Sequence, residues 1–431
     1  MPKQDDLPTG RVGRLLKLAG VGARASVDLL VSRGSEQVAE RAAEVLGNLR
    51  GLAAKLGQTV SYVDGFVPDT HRPVYEKALS SLRASAPASD PAAIRGLVEN
   101  ELGAPLDELF LEWSDEPFAS ASIGQVHAAR LADGHNVAVK VQHPGIDRAI
   151  ESDLANAGLL EGVLGAVGPR ALDVGAVLDE VRTRFREELD YRLEAERQEA
   201  FARLHAGDQQ IKIPRVFRQR SARRVLTMDL VSGHTLEQAA EADEGLRRCY
   251  AQALWRFVFK GNLIGGMFNA DPHPGNYLFQ SDGSVFFLDF GCVQPIGAER
   301  LVYARDLHRA ALRRDEVAFR AAAAKILDAR GGSYERAATA YSRRCFEPLF
   351  ASPFRLDARY VSELVSEISS VKRELWAKDK SFVPLPPGML FMNRLQFGFY
   401  SVLARLAVMV DYAAVERQFL SAARLLNESD A

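Results

Sequence analysis

Apolar residues recur at helical spacing through residues 35–63, where Val38, Ala42, Val45, Leu49, Leu52, Leu56, Val60 and Val63 form one stripe. The pattern predicts a long helix with that stripe buried. Lys55 and Gln58, three apart, share a face beside it. Residues 11–33 mix leucines and valines with arginines and a lysine. They read as a solvated helix packing its leucines on the protein, weakened by Gly20 and Gly22, with a surface helix at an anionic membrane as the alternative. Pro68 and Pro73 interrupt the stretch after residue 63, and 85–91 (SAPASDP) reads as a loop in which Asp90 or Ser89 caps the next helix.

From about Phe118 the period changes to two. Residues 126–131 and 136–142 flank Asp133 and Gly134, the signal of a hairpin turn between two strands. Residues 176–205 return to helix, rich in Arg and Glu, and 213–216 and 224–228 read as two further strands. Gly233 ends that segment, and 245–265 read as an apolar helix. A second hairpin is predicted, with strands at 277–280 and 284–289 around Asp282 and Gly283. Beyond residue 298 everything reads as helix, apart from a proline-rich break at 384–387. No internal repeat or low-complexity tract interrupts this order.

A chain of 431 residues is too long for one compact core and predicts two or three domains. With 47% apolar and 26% charged residues, the composition is that of a soluble globular protein. A net charge of −2 gives no overall pull toward nucleic acid, which is excluded as a partner. The three cysteines, Cys249, Cys292 and Cys345, are odd in number and far apart, so a reducing, cytoplasmic setting is expected. The N-terminus carries no secretory signal. No apolar stretch reaches the roughly 18 residues needed to span a bilayer. The nearest candidate, 395–410, contains Gln396 and Arg405 and reads as a packed amphipathic helix, so any membrane contact is expected to be peripheral.

The chemistry concentrates in residues 269–276 (NADPHPGN) and 288–291 (LDFG). An acid (Asp271), an Asn five residues on (Asn276) and an Asp-Phe-Gly thirteen beyond that define a phosphoryl-transfer catalytic loop and metal loop. The intervening hairpin folds Asn276 and Asp289 back beside each other, so that a carboxylate and an amide oxygen can bind Mg²⁺ against nucleotide phosphates. Asp271 stands where a carboxylate accepts a proton from, or orients, the attacking hydroxyl or water. Gly291 lets the chain turn after the metal ligand. Upstream, Lys140 lies on a strand amid apolar neighbours, and the preceding strand opens with a small-residue loop, Ala119, Ser120, Ala121 and Ser122, that lets backbone approach phosphate. Lys140 then reaches the α- and β-phosphates.

That lysine needs an acidic partner. In the helix holding Glu187 to Glu194, Asp190 and Glu194 are four apart and face the same way, while Glu188 lies on another face. Glu194 is the expected partner, with Glu188 as the alternative. Residues 227–233 read as a hinge between lobes whose backbone groups at Asp229 and Val231 bind adenine. His127, His143 and His273 are scattered over separate elements and match no zinc spacing; His273 is expected to shape the catalytic loop.

At these residues the chain resembles the UbiB family of atypical kinases, also called the AarF-domain family, over roughly residues 35–410. Lys55 to Gln58 looks like the family's KxGQ motif, Ala119 to His127 like its alanine-rich loop, and Glu188 to Asp190 like its ExD motif. The resemblance implies that Lys55 and Gln58 meet Glu188 and Asp190 across the active site, which leaves Glu194 for Lys140. It further implies ATP or ADP with Mg²⁺ as cofactors, ATPase activity with little protein-kinase activity, and an isoprenoid lipid or quinone precursor as ligand or pathway, in ubiquinone metabolism. Residues 292–300 (CVQPIGAER) contain no Ser, Thr or Tyr and no long activation segment, which excludes an ordinary protein kinase. Asn269 stands where many relatives carry histidine, and Ser120 where many have alanine. The C-terminal membrane-spanning segments of some relatives have no counterpart here, so permanent membrane residence is not expected.

The expected architecture is α+β: a protein-kinase-like two-lobed fold with a small antiparallel-sheet N-lobe, a helical C-lobe and an N-terminal helical extension. Its divisions are an N-terminal segment (1–34), the helical extension with the KxGQ motif (35–110), the N-lobe (111–231) and the C-lobe (232–431). Two rival functions stand beside an ATPase: a nucleotide-gated scaffold without turnover, and a small-molecule phosphotransferase. The phosphoryl acceptor and the oligomeric state are not encoded in any motif.

Overall fold

A computed structural model of the chain describes residues 89–121, 123–151, 174–376 and 389–426. The expected helices at 11–33 and 35–63, with Lys55 and Gln58, together with Ser122 and the 384–387 break, lie outside the described residues. The chain forms two compact units. The described part of the first comprises 89–106, 114–121, 123–127, 140–151 and 174–189; that of the second comprises 107–113, 128–139, 190–376 and 389–426.

In chain order, helix α1 (Pro91–Leu102) begins at Asp90, whose carboxylate accepts from the Ala93 N–H at 3.2 Å. Pro91 at the first helical position suits a site with no N–H to satisfy, and Gly103, at φ 75°, ends the helix. Of the two expected caps it is Asp90 that acts. Ser89 instead joins a polar network in the same unit: its N–H donates to Gln125 Oε1 at 2.9 Å, and its hydroxyl lies 2.8 Å from His143 Nδ1.

Helix α2 (Leu106–Leu109) leads to strands β1 (Glu112–Trp113), β2 (Ala119–Ala121), β3 (Gly124–Arg130) and β4 (Asn136–Gln142). β3 and β4 meet at the expected Asp133–Gly134 turn, where Gly134 takes φ 87° and Leu131 N–H donates to the His135 carbonyl at 2.9 Å. With β6 (Val225–Asp229) they make a sheet in the order β1-β3-β4-β6, β2 pairing with β3. The first small-residue segment is thus an antiparallel strand, Ala119 opposite Val126, rather than an open loop.

The single helix expected over 176–205 is two: α3 (Val174–Glu188) and α4 (Tyr191–Leu204). The break has a side-chain cause. Asp190 adopts an extended backbone and caps α4, accepting from the Arg192 N–H at 3.1 Å. Asp190 therefore does not share a helix face with Glu194, contrary to the expectation from spacing. The strand expected at 213–216 shifts to β5 (Ile211–Lys212), because Pro214 has no N–H for a ladder; Val216 makes only an isolated bridge to Met228.

Helix α5 (Leu236–Ala240) starts with a capping box of Thr235 and Gln238. Helix α6 (Glu244–Lys260) ends short of the expected 265, in a wider turn over Gly261–Gly265. Then come β7 (Met267–Asn269), β8 (Tyr277–Phe279), β9 (Val285–Phe287) and β10 (Val293–Pro295), followed by helices α7 (Ala298–Leu312), α8 (Glu316–Ile326), α9 (Gly332–Cys345) and α10 (Glu347–Phe350). Strand β11 (Phe354–Arg355), α11 (Ala358–Trp376), α12 (Met389–Leu406), β12 (Met409–Val410) and α13 (Tyr412–Ala422) complete the described chain. The all-helical reading beyond 298 misses the antiparallel pair β11–β12, whose two-residue strands are too short to show an alternation.

The core of the second unit gathers around α6. Trp255, 1% exposed, contacts Phe259, Phe399, Tyr400 and Tyr412. A buried carboxylate crosses this core: Glu416 accepts from Trp255 Nε1 at 3.0 Å and lies 2.8 Å from His308 Nδ1. All three cysteines are free. Among the described residues, no helix is long and apolar enough to cross a membrane.

Candidate active site

Two ladders within the second unit assemble the loops predicted to carry the chemistry. β8 pairs antiparallel with β9, Tyr277 opposite Phe287, and the Leu288 N–H donates to the Asn276 carbonyl at 3.0 Å. β7 pairs with β10, Asn269 opposite Val293, and the Ala270 N–H donates to the Cys292 carbonyl at 2.8 Å. The segment with Asp271 and Asn276 is therefore laced at both ends to the segment with Asp289 and Gly291. The hairpin expected from Asp282 and Gly283 is present, with Gly283 at φ 84°.

Between the ladders, side chains set the loop. Pro274–Asn276 makes one tight turn, entered through His273, whose Nδ1 accepts from the Gly275 N–H at 3.1 Å. His273 shapes the loop in the way its position suggested. Asn276 Nδ2 donates to the Asp271 carbonyl at 3.0 Å and to Asp271 Oδ2 at 3.2 Å. An amide oxygen in that place would face two acceptors, so the bonding fixes the amide's orientation and turns its oxygen away from Asp271. That oxygen has no hydrogen-bond partner among the described residues. Asp289 Oδ1 accepts from the Gly291 N–H at 2.9 Å. An amide oxygen and a carboxylate, here carried on two hairpin-linked segments, are ligands of the hard oxygen type that Mg²⁺ takes.

Three contacts were not legible in the motifs. Asn269 bridges the two loops: its Nδ2 donates to the Asp289 carbonyl at 2.6 Å, and its Oδ1 accepts from the Asp271 N–H at 3.2 Å. Arg197, one turn after Glu194 on α4, donates to the Gly291 carbonyl at 3.0 Å. Phe290 packs on Phe201 of the same helix with ring centroids 5.3 Å apart. The asparagine's place in the motif was noticeable; the arginine and phenylalanine show no signal beyond a helical period.

Gly291 is closely approached by two carboxylates. A Cβ there would stand 3.2 Å from Asp289 Oδ1 and 3.6 Å from Glu194 Oε2. Its φ is not in the left-handed region, so the sharp turn expected from its sequence context does not explain the glycine. The same distances put the buried Glu194 carboxylate, 4% exposed, beside the metal loop.

The remaining predicted residues are spread over both units. Lys140 lies near the end of β4 in the first unit, 8% exposed, an unusual burial for a lysine. Ala119, Ser120 and Ala121 form β2 in that unit. Glu188 ends α3, and its carbonyl accepts from Gln142 Nε2 at 3.5 Å. Asp190, in the second unit, is gripped by Arg192 Nε and Nη2 at 2.9 and 2.6 Å, and this fork holds its carboxyl below the usual carboxylate range. Asp229 ends β6; its N–H is already used by the Arg215 carbonyl at 3.0 Å, so its carbonyl is the group left to consider for adenine, with Val231 just beyond. His127 and His143 are engaged internally, His127 Nδ1 with the Ser114 carbonyl at 2.8 Å, and burial lowers both imidazoles.

An antiparallel sheet, followed by helices and a hairpin carrying Asp, Asn and Asp-Phe-Gly, defines the protein-kinase-like class. Within it, the model of the ABC1 atypical kinase-like domain matches residues 81–322, more than half of the chain, and the chain belongs to that family, the AarF-domain or UbiB group of atypical kinases. It is 34% identical over 289 residues to an uncharacterized chloroplastic aarF domain-containing protein kinase of Arabidopsis thaliana, covering 64% of this chain and 40% of that protein. It is 33% identical over 295 residues to the mitochondrial atypical kinase COQ8B of Danio rerio, covering 66% of this chain and 46% of the relative. The chain thus spans less than half the length of these curated relatives. Among solved structures, that of Rv3197 with erythromycin from Mycobacterium tuberculosis matches with a TM-score of 0.63 and 26% identity, over 92% of this chain and 97% of the other.

Proposed function

We propose that the protein binds ATP or ADP with Mg²⁺ and hydrolyses or transfers the γ-phosphoryl group. The observation that carries this reading is the Asn276 amide: its nitrogen is held by Asp271, on a segment that the bond from the Leu288 N–H to the Asn276 carbonyl ties to the one carrying Asp289. In this reading Asn276 and Asp289 would hold the ion, whose chemistry is to neutralise phosphate charge. Asp271 takes the proton of, or orients, the attacking hydroxyl or water. Lys140 binds the α- and β-phosphates with Glu194 as its partner, and Ala119, Ser120, Ala121 and Ser122 lie along the phosphates. The Asp229 carbonyl and the Val231 N–H receive adenine. Lys55 and Gln58, together with Glu188 and Asp190, are assigned the role of restricting the acceptor side, as the family resemblance implies. The pathway is that of ubiquinone or another isoprenoid lipid, which the COQ8 relatives support.

The test is equilibrium binding and hydrolysis of MgATP by the full chain, with and without anionic vesicles and a phenol-like ligand. Asp289→Asn abolishes Mg²⁺-dependent nucleotide binding, whereas Asp271→Asn retains binding and lowers turnover by about 10² or more. A wild-type chain that neither binds nor hydrolyses MgATP ends the proposal. If Asp271→Asn leaves cellular function intact while Asp289→Asn destroys it, the protein is a nucleotide-gated scaffold.

A further inference from the structure

A glycine in the middle of a helix costs about 1 kcal/mol relative to alanine, so it needs a reason. Gly398 lies inside α12, a helix beyond the family match, which ends at residue 322. A Cβ placed on Gly398 would stand 2.4 Å from Pro272 Cγ, 3.4 Å from its Cβ and 3.6 Å from its Cδ. Pro272 directly follows Asp271. The bare backbone of a C-terminal helix is thus the seat on which the catalytic loop's proline rests.

Neither side of this contact gives easily. Pro272 is a ring closed onto its own backbone, so moving its Cγ moves the loop. The helix is pinned on the other side: Phe399 and Tyr400 are buried against Trp255, and the Tyr400 hydroxyl donates to the Cys345 carbonyl at 2.7 Å. Its last turn is held by Arg247 Nη1, which donates to the Leu406 carbonyl at 2.7 Å. From this we infer that Gly398 is a positioning residue for Asp271, acting through Pro272, so that α12 sets the placement of the catalytic carboxylate. The role in turnover rests on the nucleotide chemistry proposed above; the contact with the loop does not.

The experiment compares wild type, Gly398→Ala, Pro272→Ala and the double variant, with Gly96→Ala as a helix-glycine control, since a Cβ at Gly96 meets nothing within 4 Å. Steady-state MgATP hydrolysis and hydrogen exchange of the 271–279 peptide are measured. Gly398→Ala lowers kcat by about tenfold or more through a displaced carboxylate, with KM for MgATP within about twofold of wild type. It also speeds exchange in the peptide, while Gly96→Ala changes neither. Once the ring is gone the alanine becomes silent: the double variant matches Pro272→Ala within about twofold. An equal cost of Gly398→Ala in both backgrounds overturns the inference. Should Gly398→Ala fail to fold, recovery of folding in the double variant supports it, and equal failure of both overturns it. Should wild type show no nucleotide chemistry, the proposed function fails and the exchange data alone decide: faster exchange cured by Pro272→Ala supports the seat, unchanged exchange refutes it.

Discussion

Replacing His205 by phenylalanine removes an acid-sensitive element from the second unit's core. His205 caps the C-terminus of α4, is 3% exposed, and lies against Phe201 and Phe257 with ring centroids at 6.3 and 5.3 Å. Neither ring nitrogen has a hydrogen-bond partner among the described residues. Burial first, then the nearby Lys260 charge, pushes its pKa from 6.5 down to about 3. Between those values the unfolded chain binds the proton and the folded chain does not. The stability contributed is therefore complete above pH 6.5 and is lost as the pH falls toward 3. From pH 7 to pH 5 the linkage integral amounts to about 2 kcal/mol, and the full shift to at most about 5 kcal/mol. Urea unfolding of wild type and His205→Phe at the two pH values measures it, because other titrating groups cancel in the difference. The variant, whose ring retains the aromatic packing, loses about 2 kcal/mol less than wild type on acidification. Parallel losses in the two proteins refute the reasoning.

Asn269→Ala leaves the Asp289 carbonyl and the Asp271 N–H without their bridge and lowers MgATP turnover by about tenfold. Asn269→His restores turnover at neutral pH but adds a decline below about pH 6.5, because an imidazole donates and accepts at once only when neutral; a pH profile identical to wild type counts against the bridge. Glu416→Ala strands the Trp255 N–H and His308 in the core and costs about 3–4 kcal/mol in urea unfolding. A loss below about 1 kcal/mol shows that the buried carboxylate is not holding these groups.

The local signals proved reliable where one backbone preference dominates. Asp90 followed by Pro91 starts a helix, and Asp133-Gly134 and Asp282-Gly283 turn hairpins, because caps and left-handed glycines act within a few residues. The second hairpin is also what makes the spacing from Asp271 through Asn276 to Asp289 meaningful, since it fixes which backbone groups pair across the loop. Periodicity misled at 176–205, where Asp190 fits a helical pattern yet caps a new helix through its own side chain. It was silent at β11–β12, two residues each.

The sequence by itself determined the hairpin that carries Asn276 and Asp289 and the residue types that stand in its loops, because turn chemistry and hydrophobic period are properties of neighbouring residues; the three-residue strands of the β7–β10 ladder were too short to show. Only the tertiary structure decided that Asn269 ties the two loops together, that Gly291 stands close to the carboxylates of Asp289 and Glu194, and that Gly398 seats Pro272. Those contacts join segments distant in the chain, and close packing sets them through volumes and distances that no local pattern records.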